Sequence, residues 1–311
     1  MNLNGKGARL HIVIPTFNGW QQTRRCLLAL RESTCQDFHV IVVDHGSTDE
    51  TKPALLTEFP EVECVLGDES LWWAGATNLG IRQAIASSAQ RIMLLNNDCY
   101  MTPDTIGKLL QYSDQCNDIS IVAPLTKDLL SGKVLNLGFT TCLWLGFPSI
   151  RLPSICMPRQ SACEGLITTR LIMGGRGVII PTKVFQQIGL LDEKNLPHYL
   201  ADHDFYLRCQ KAGISLMIAM DAQLSVDNTR TTIANQSSNM TFMDFRETWS
   251  SRKSHRNLKD LKAFFKKHYP IRLLYPLGVG LNFVRYTLQY VGTRLLNFKL
   301  NFFKKNKAKK L

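Results

Sequence analysis

The order in which apolar runs and amphipathic stretches alternate over the first hundred residues constrains the fold more than any other feature. Arg9 to Pro15, "RLHIVIP", is a nearly continuous apolar run ended by proline and reads as a buried strand. After a turn at Asn18-Gly19 the spacing becomes helical through "QQTRRCLLALRES". A second strand, "FHVIVVD", runs into the polar cluster "DHGSTDET", where Ser47 or Thr48 is expected to cap the next helix. A third strand "VECVLG", a helix over "AGATNLGIRQAIASS" and a fourth strand "RIMLLNND" continue the alternation. Repeated strand-helix units imply an α/β fold with a mostly parallel sheet flanked by helices, and such sheets bind ligands beyond the carboxyl ends of their strands. Thr16, Asn18, Asp44 and Asp98 all fall at those ends.

From about residue 120 the pattern loosens into short strands and proline-rich connections. It tightens again at "LIMGGRGVIIPTKVFQQIGLLDE" and "HYLADHDFYLRCQKAGISLMI", which are expected to complete the same sheet. The stretch from "CLWLGFP" to "MPRQ" is expected to be a partly mobile loop region. Residues 1–235 thus read as one catalytic domain, with halves at about 9–115 and 116–235, and residues 236–311 as a basic helical extension.

Charge separates the two parts. Residues 252–311 carry 16 Lys or Arg against the single acid Asp260, a net of +15, whereas residues 1–251 carry 21 bases against 24 acids. A basic segment fused to a mildly acidic body meets something anionic while the body does other chemistry. Within it Leu277, Leu281, Val284, Leu288, Val291, Leu295, Phe298 and Phe302 recur at steps of four or three, one face of a helix. Arg285, Gln289 and Arg294 interrupt the roughly 20 apolar residues that a spanning helix needs. The expectation is an interfacial amphipathic helix ending in "KKNKAKK", each basic residue contributing about 1 kcal/mol near an anionic leaflet. Docking on the catalytic domain, or coiled-coil pairing as a homodimer, is the competing use of the same face.

The nine cysteines are scattered without a C-x-x-C pair, against a disulfide framework or a zinc site. A reducing cytosol is the expected location, since no apolar signal region precedes the first strand. No G-x-G-x-x-G follows a strand, which argues against a dehydrogenase.

Four motifs in order, "IPTFNG", "VVDHGSTDET", "LWWAGATNLGIRQA" and "LLNNDC", followed by "YLADHDFYLRCQKAG", resemble those of the inverting family-2 glycosyltransferases with the GT-A fold, in particular the rhamnosyltransferase-like branch that builds surface polysaccharides. The resemblance covers roughly residues 9–230. It implies a nucleotide-sugar donor, UDP- or dTDP-linked. Pro15, Thr16, Phe17 and Asn18 would lie along base and ribose, and Asp44 would accept from the pyrimidine ring N–H. Ser47 and Asp49 match the remaining motif positions or serve as helix caps. Gly75 would allow close backbone approach, Asn78 would contact the nucleotide, and Trp72 and Trp73 would wall the sugar pocket or pack in the core.

The fourth motif matches the family's D-x-D site with Asn96 in place of the first carboxylate, followed by Asn97 and the retained Asp98. The resemblance implies a divalent cofactor, Mn2+ or Mg2+, held by Asp98 against the diphosphate. With Asn at the first position, either the metal arrives mainly with the nucleotide or Asn96 contacts the ribose. Asp227, in "LSVDNTRTT", stands where many relatives have a metal-site His.

Asp202 aligns with the family's catalytic base, Ala201 replaces a common acidic neighbour, and His203 lies between two aspartates. Asp204 and Arg208 are spaced as a helical ion pair. Gly174 and Gly175 are expected under the donor sugar and acceptor, with Arg176 as an anion contact.

The implied function is transfer of a sugar to a glycan or lipid-linked glycan on the inner face of the cell membrane, with no nucleic acid as partner. A sugar-nucleotide nucleotidyltransferase, or a non-catalytic scaffold binding anionic lipid or RNA, is the alternative. "PTFNGWQQ" lacks the former's glycine-rich loop, and a scaffold has no use for Asp44, Asp98 and Asp202 together.

Overall fold

The computed structural model describes residues 9–116, 119–151, 164–230 and 240–308. The first hundred residues fold as β1 (Leu10–Thr16), α1 (Trp20–Arg31), β2 (Phe38–Asp44), α2 (Thr51–Glu58), β3 (Glu63–Leu66), α3 (Trp72–Ala86) and β4 (Arg91–Leu95), the alternation that the sequence predicts. Next come β5 (Cys99–Met101), α4 (Thr105–Gln115), β6 (Ile121–Asp128) and β7 (Val134–Asn136). Two hairpin strands, β8 (Phe139–Cys142) and β9 (Phe147–Arg151), precede β10 (Leu166–Thr169), β11 (Arg176–Pro181), α5 (Thr182–Ile188), α6 (Ala201–Lys211) and β12 (Leu216–Val226). The last helices are α7 (Phe242–Glu247), α8 (Leu258–His268) and α9 (Tyr275–Ala308).

The chain divides into two compact units, residues 1–141 with 149–229, and residues 142–148 with 230–311. The boundary expected at 235 lies outside the described residues, as do residues 152–160 of the expected loop region.

In the first unit one sheet runs in the order β3-β2-β1-β4-β11-β6-β12-β10, with β5 on β12 and β7 on β6. The β3-β2-β1-β4 block is parallel, and its register sets Thr16 beside Asp44 at the carboxyl ends of β1 and β2. Strand β11 then runs antiparallel to both β4 and β6, while β6 and β12 are parallel. The second half thus completes the same sheet, with a reversed strand at its centre. Helices bind the sheet through matched faces. On α1 the residues Trp20, Thr23, Cys26, Leu27 and Leu30 are buried, the three-and-four spacing of an amphipathic helix. On α3 the approach is closer still: a Cβ on Gly80 would lie 2.3 Å from Val13 Cγ1, so only glycine lets this helix sit on β1 and β2.

In the second unit, α7 starts with a capping box in which Thr241 accepts from the Asp244 N–H at 3.1 Å and Asp244 accepts from the Thr241 N–H at 2.8 Å. Asn257 caps α8 by accepting from the N–H groups of Lys259 and Asp260. The helix predicted over 277–302 extends over all of α9, 34 residues. Among the described residues no helix is long and apolar enough to cross a membrane.

Candidate active site

The carboxyl ends of β1 and β2 carry the first cluster. Phe17, 41% exposed, stacks on His45 with ring centroids 5.3 Å apart. Asn18 adopts a left-handed φ of 47° and turns inward, its Oδ1 accepting from the N–H groups of Thr48 (2.7 Å) and Asp49 (3.2 Å). The Asn18 N–H donates to Ser47 Oγ at 2.9 Å, and Asp44 Oδ1 accepts from the Ser47 N–H at 2.9 Å. Asn18 and Asp44 therefore shape the loop that follows β2. Helix α2 begins at Thr51, and it is Asp49, not Ser47 or Thr48, that accepts from the Thr51 N–H at 3.0 Å. Pro15 and Thr16 are buried, and Thr16 Oγ1 shares hydrogen bonds with Thr23 (2.9 Å) and the Asn97 amide (3.2 Å). Thr16 and Asn97 thus tie β1 and α1 to the turn after β4.

On α3, Asn78 is almost wholly buried. Its amide donates to the Leu191 carbonyl (2.9 Å) and to Glu193 (2.7 Å), and its oxygen accepts from the Leu191 N–H (3.0 Å). The residue expected at the nucleotide instead clasps a segment 113 positions away. Gly75 lies under the same Glu193, where an added Cβ would come within 3.7 Å of the carboxylate. Trp72 sits at a positive φ of 51° with its ring 5.8 Å from His198. Trp73 is half-buried, and its indole N–H donates to Asn96 Oδ1 at 2.9 Å.

From Asn96 a line of contacts reaches the candidate base. The Asn96 N–H donates to the Gly175 carbonyl at 2.5 Å, and the Gly174 N–H donates to Asp202 Oδ2 at 2.8 Å. Both glycines are required by space. A Cβ on Gly174 would lie 2.4 Å from Asp202 Cβ, and one on Gly175, whose φ is 67°, would lie 2.1 Å from Asn96 Oδ1. The glycines predicted under the sugars thus let Asn96 and Asp202 converge.

Asp202 Oδ1 accepts from the backbone N–H and from Nδ1–H of His203, both at 2.8 Å. Burial by itself would raise the carboxyl pKa, but the His203 charge, its ring hydrogen bond and the backbone donors of Gly174 and His203 outweigh it and hold Asp202 down at about 2. The reciprocal effect on His203 is upward, the Asp202 charge overcoming burial. His203 Nε2 and the Tyr206 hydroxyl are buried without hydrogen-bond partners among the described residues. Behind them Asp204, fully buried, pairs with Arg208 Nε at 3.0 Å, and the guanidinium also donates to the Ile188 and Leu190 carbonyls. That pair anchors α6.

Sheet topology assembles the third group. Antiparallel pairing matches Cys99 of β5 with Val226 of β12, so Asp98 and Asp227 flank one another, and the Asp227 N–H donates to the Asp98 carbonyl at 2.8 Å. Burial pushes the Asp98 carboxyl above its ordinary range, opposed by the Cys99 thiol and Arg176 and reinforced by the charge of Asp227. Asp227 is held low by Thr229, whose hydroxyl and N–H both donate to its Oδ1. Two carboxylates on neighbouring residues of paired strand ends, that of Asp98 half-buried with its pKa raised, are oxygen donors of the type a hard divalent cation takes. Asn96 Oδ1 is already engaged by Trp73. No cluster of three His, Cys, Asp or Glu side chains forms a metal site among the described residues, so such an ion would take its other oxygens from diphosphate and water.

No sequence motif marks Arg25, Tyr100 or Glu193. Asp227 opens onto a cleft of about 370 Å³ that Arg25 and Tyr100 help to line, with the Arg25 guanidinium 4.4 Å above the Tyr100 ring. Arg25 occupies an exposed position of an ordinary amphipathic helix, so no local pattern marks it.

The family profile described as "Glycosyl transferase family 2" matches residues 11–133. The dTDP-rhamnosyl transferase RfbF of Shigella flexneri is 24% identical over 218 residues, 70% of this chain and 68% of that protein. The N-acetylglucosaminyl-diphospho-decaprenol L-rhamnosyltransferase of Mycobacterium tuberculosis is 25% identical over 222 residues, 66% of this chain and 71% of that protein. Among solved structures, GalNAc-T7 with UDP, GalNAc and Mn2+ superposes with a TM-score of 0.59 at 13% identity, covering 89% of this chain and 57% of that one. The shared architecture is the GT-A fold.

Proposed function

We propose, on the family-2 match over residues 11–133 and the two rhamnosyltransferase relatives, that the chain is a family-2 glycosyltransferase that moves a hexosyl or rhamnosyl group from a UDP- or dTDP-sugar to a hydroxyl of a glycan or lipid-linked glycan, with inversion, in building a surface polysaccharide of the O-antigen or capsule type. The observation that carries the reading is the Asp202 carboxylate, held ionised by Gly174 and His203 and linked through Gly174-Gly175 to Asn96.

In the proposed reaction Asp202 takes the proton of the acceptor hydroxyl while the acceptor oxygen attacks the anomeric carbon from the face opposite the nucleoside diphosphate. The bond to the leaving phosphate oxygen breaks in the same step, so the configuration inverts. Phe17 and Asp44 offer a ring face and a carboxylate to the base, and Trp72 and Trp73 bound the sugar. A Mn2+ or Mg2+ ion at Asp98 and Asp227 would neutralise the diphosphate. Arg176, within electrostatic reach of Asp98, adds a fixed positive charge. The names of the two relatives favour a rhamnosyl donor. The basic second unit supports work at the inner face of the cell membrane, where a lipid-linked acceptor is presented.

A thermal-shift screen of UDP-, dTDP- and GDP-sugars with and without Mn2+ tests the donor, because a ligand stabilises the fold in proportion to its occupancy. Stabilisation by a UDP- or dTDP-sugar, enhanced by Mn2+, is expected. Asp202→Asn should then abolish transfer and leave that stabilisation intact; transfer near the parent rate would remove Asp202 as the base.

A further inference from the structure

Helix α9 keeps its aliphatic side outside. Toward its own unit it presents Asn282, donating to the Gly146 carbonyl at 2.8 Å, Arg285 over the Phe147 ring at 4.2 Å, and Tyr290 stacked on Phe245 at 4.4 Å. On the other side Leu277, Val284, Leu288, Val291 and Leu295 form a stripe, each 44–67% exposed. At the helical rise that stripe is about 27 Å long. Half of the twenty large apolar residues exposed among the described residues lie between Ile271 and Leu296, a concentration that scattered surface leucines do not produce.

A second exposed apolar feature belongs to the same unit. Trp144 and Leu145 are 49% and 59% exposed at the tip of the β8-β9 hairpin. The next residue, Gly146, lies so close to α9 that a Cβ there would sit 2.6 Å from the Asn282 nitrogen. Tryptophan at the edge of an apolar surface suits a bilayer interface, where its ring sits at the headgroup level.

Charge selects the occupant. Residues 261–311 contain no Asp or Glu, so two copies paired along this stripe would bring like charges together. An anionic lipid surface attracts the net positive charge of this segment instead of repelling it. Because no described helix can cross a membrane, α9 would lie in the plane of the interface.

We propose that α9 and the hairpin tip of residues 142–148 form a docking surface for an anionic phospholipid bilayer, with the aliphatic stripe inserted and the net positive charge of the segment drawing it to the anionic headgroups. This deepens the membrane-facing part of the proposed function and rests on it. The test is flotation of the full chain with vesicles of phosphatidylcholine, with and without phosphatidylglycerol, beside the variant Leu288→Glu/Val291→Glu. The parent is expected to float with the anionic vesicles and to be released by salt, and the variant to bind about tenfold less or weaker. Both changed positions are exposed, so thermal unfolding and transfer to a water-soluble acceptor should match the parent. Equal flotation of parent and variant overturns the proposal. So does a parent that binds no vesicles and sediments as a dimer dissolved by the same substitutions, which would assign the stripe to a second copy. A parent that floats but transfers no sugar would remove the proposed function and leave the docking surface standing.

Discussion

The backbone N–H of Asp227 donates to the carbonyl of Asp98 at 2.8 Å, joining the carboxyl end of β12 to the turn before β5. Two carboxylates that are 129 positions apart in the sequence are thereby held in one electrostatic environment. Asp227→Ala is expected to weaken Mn2+-dependent nucleotide binding by about tenfold or more, in the range known for groups supporting a metal site, and Asp227→His to restore most of it. Titration calorimetry with and without Mn2+ measures both; equal affinity of Asp227→Ala and parent would take Asp227 out of the site.

His203 tunes Asp202, the proposed base, and the direction is fixed by sign. Its charge and hydrogen bond offset a burial cost that would otherwise raise the Asp202 pKa from the ordinary carboxylate value. His203→Gln removes the charge, so the Asp202 pKa should climb and the acid limb of the kcat/KM profile should move to higher pH. A profile between pH 4 and 8 that superposes on the parent's would show that the pairing has no influence on the reaction.

Gly174 and Gly175 can be tested sterically. Gly174→Ala pushes Asp202 aside, and a displacement near 1 Å at a reacting group costs about 100-fold in rate. Loss of kcat with little change in donor affinity is expected for Gly174→Ala. Gly175→Ala should also lower the melting temperature, because it adds a strained φ to a clash with Asn96. Steady-state kinetics and calorimetry on both variants separate the two effects.

A buried histidine outside the site sets a pH limit on the fold. His11 is fully buried, both ring nitrogens lack hydrogen-bond partners among the described residues, and burial with the nearby His39 charge lowers its pKa to about 4, against a smaller opposing pull from Glu63. Its folded pKa lies below the unfolded value of 6.5, so stability is unaffected above pH 6.5 and falls as the pH drops toward 4. The full shift corresponds to about 3 kcal/mol. Urea unfolding at pH 7 and pH 5 should show the loss for the parent and a smaller one for His11→Leu; identical pH dependence of the two would acquit this residue.

The strand-helix alternation was legible because each strand is an unbroken apolar run and each helix a periodic one. Asp98 and Asp202 stand out as candidates because they sit inside local motifs. Strand direction in the second half was not legible, since whether β11 runs with or against β4 depends on pairings between distant segments. The same blindness affected Asn78. Its buried amide looks like a ligand contact until Leu191 and Glu193 come into view. Asp49 shows the local version: a carboxylate in a nucleotide-like motif accepts the second N–H beyond it and starts a helix.

The clasp between Asn78 and Leu191 also governs how this enzyme can be recombined with its relatives. Donation and acceptance at the same backbone residue, with Glu193 bound to both Asn78 and Arg82, make α3 and the lead-in to α6 a matched pair. A chimera that takes its first hundred residues from one parent and its last two hundred from another splits that pair at the crossover. The proposed sugar wall, Trp72 and Trp73, is therefore better exchanged alone, leaving the clasp of one parent whole.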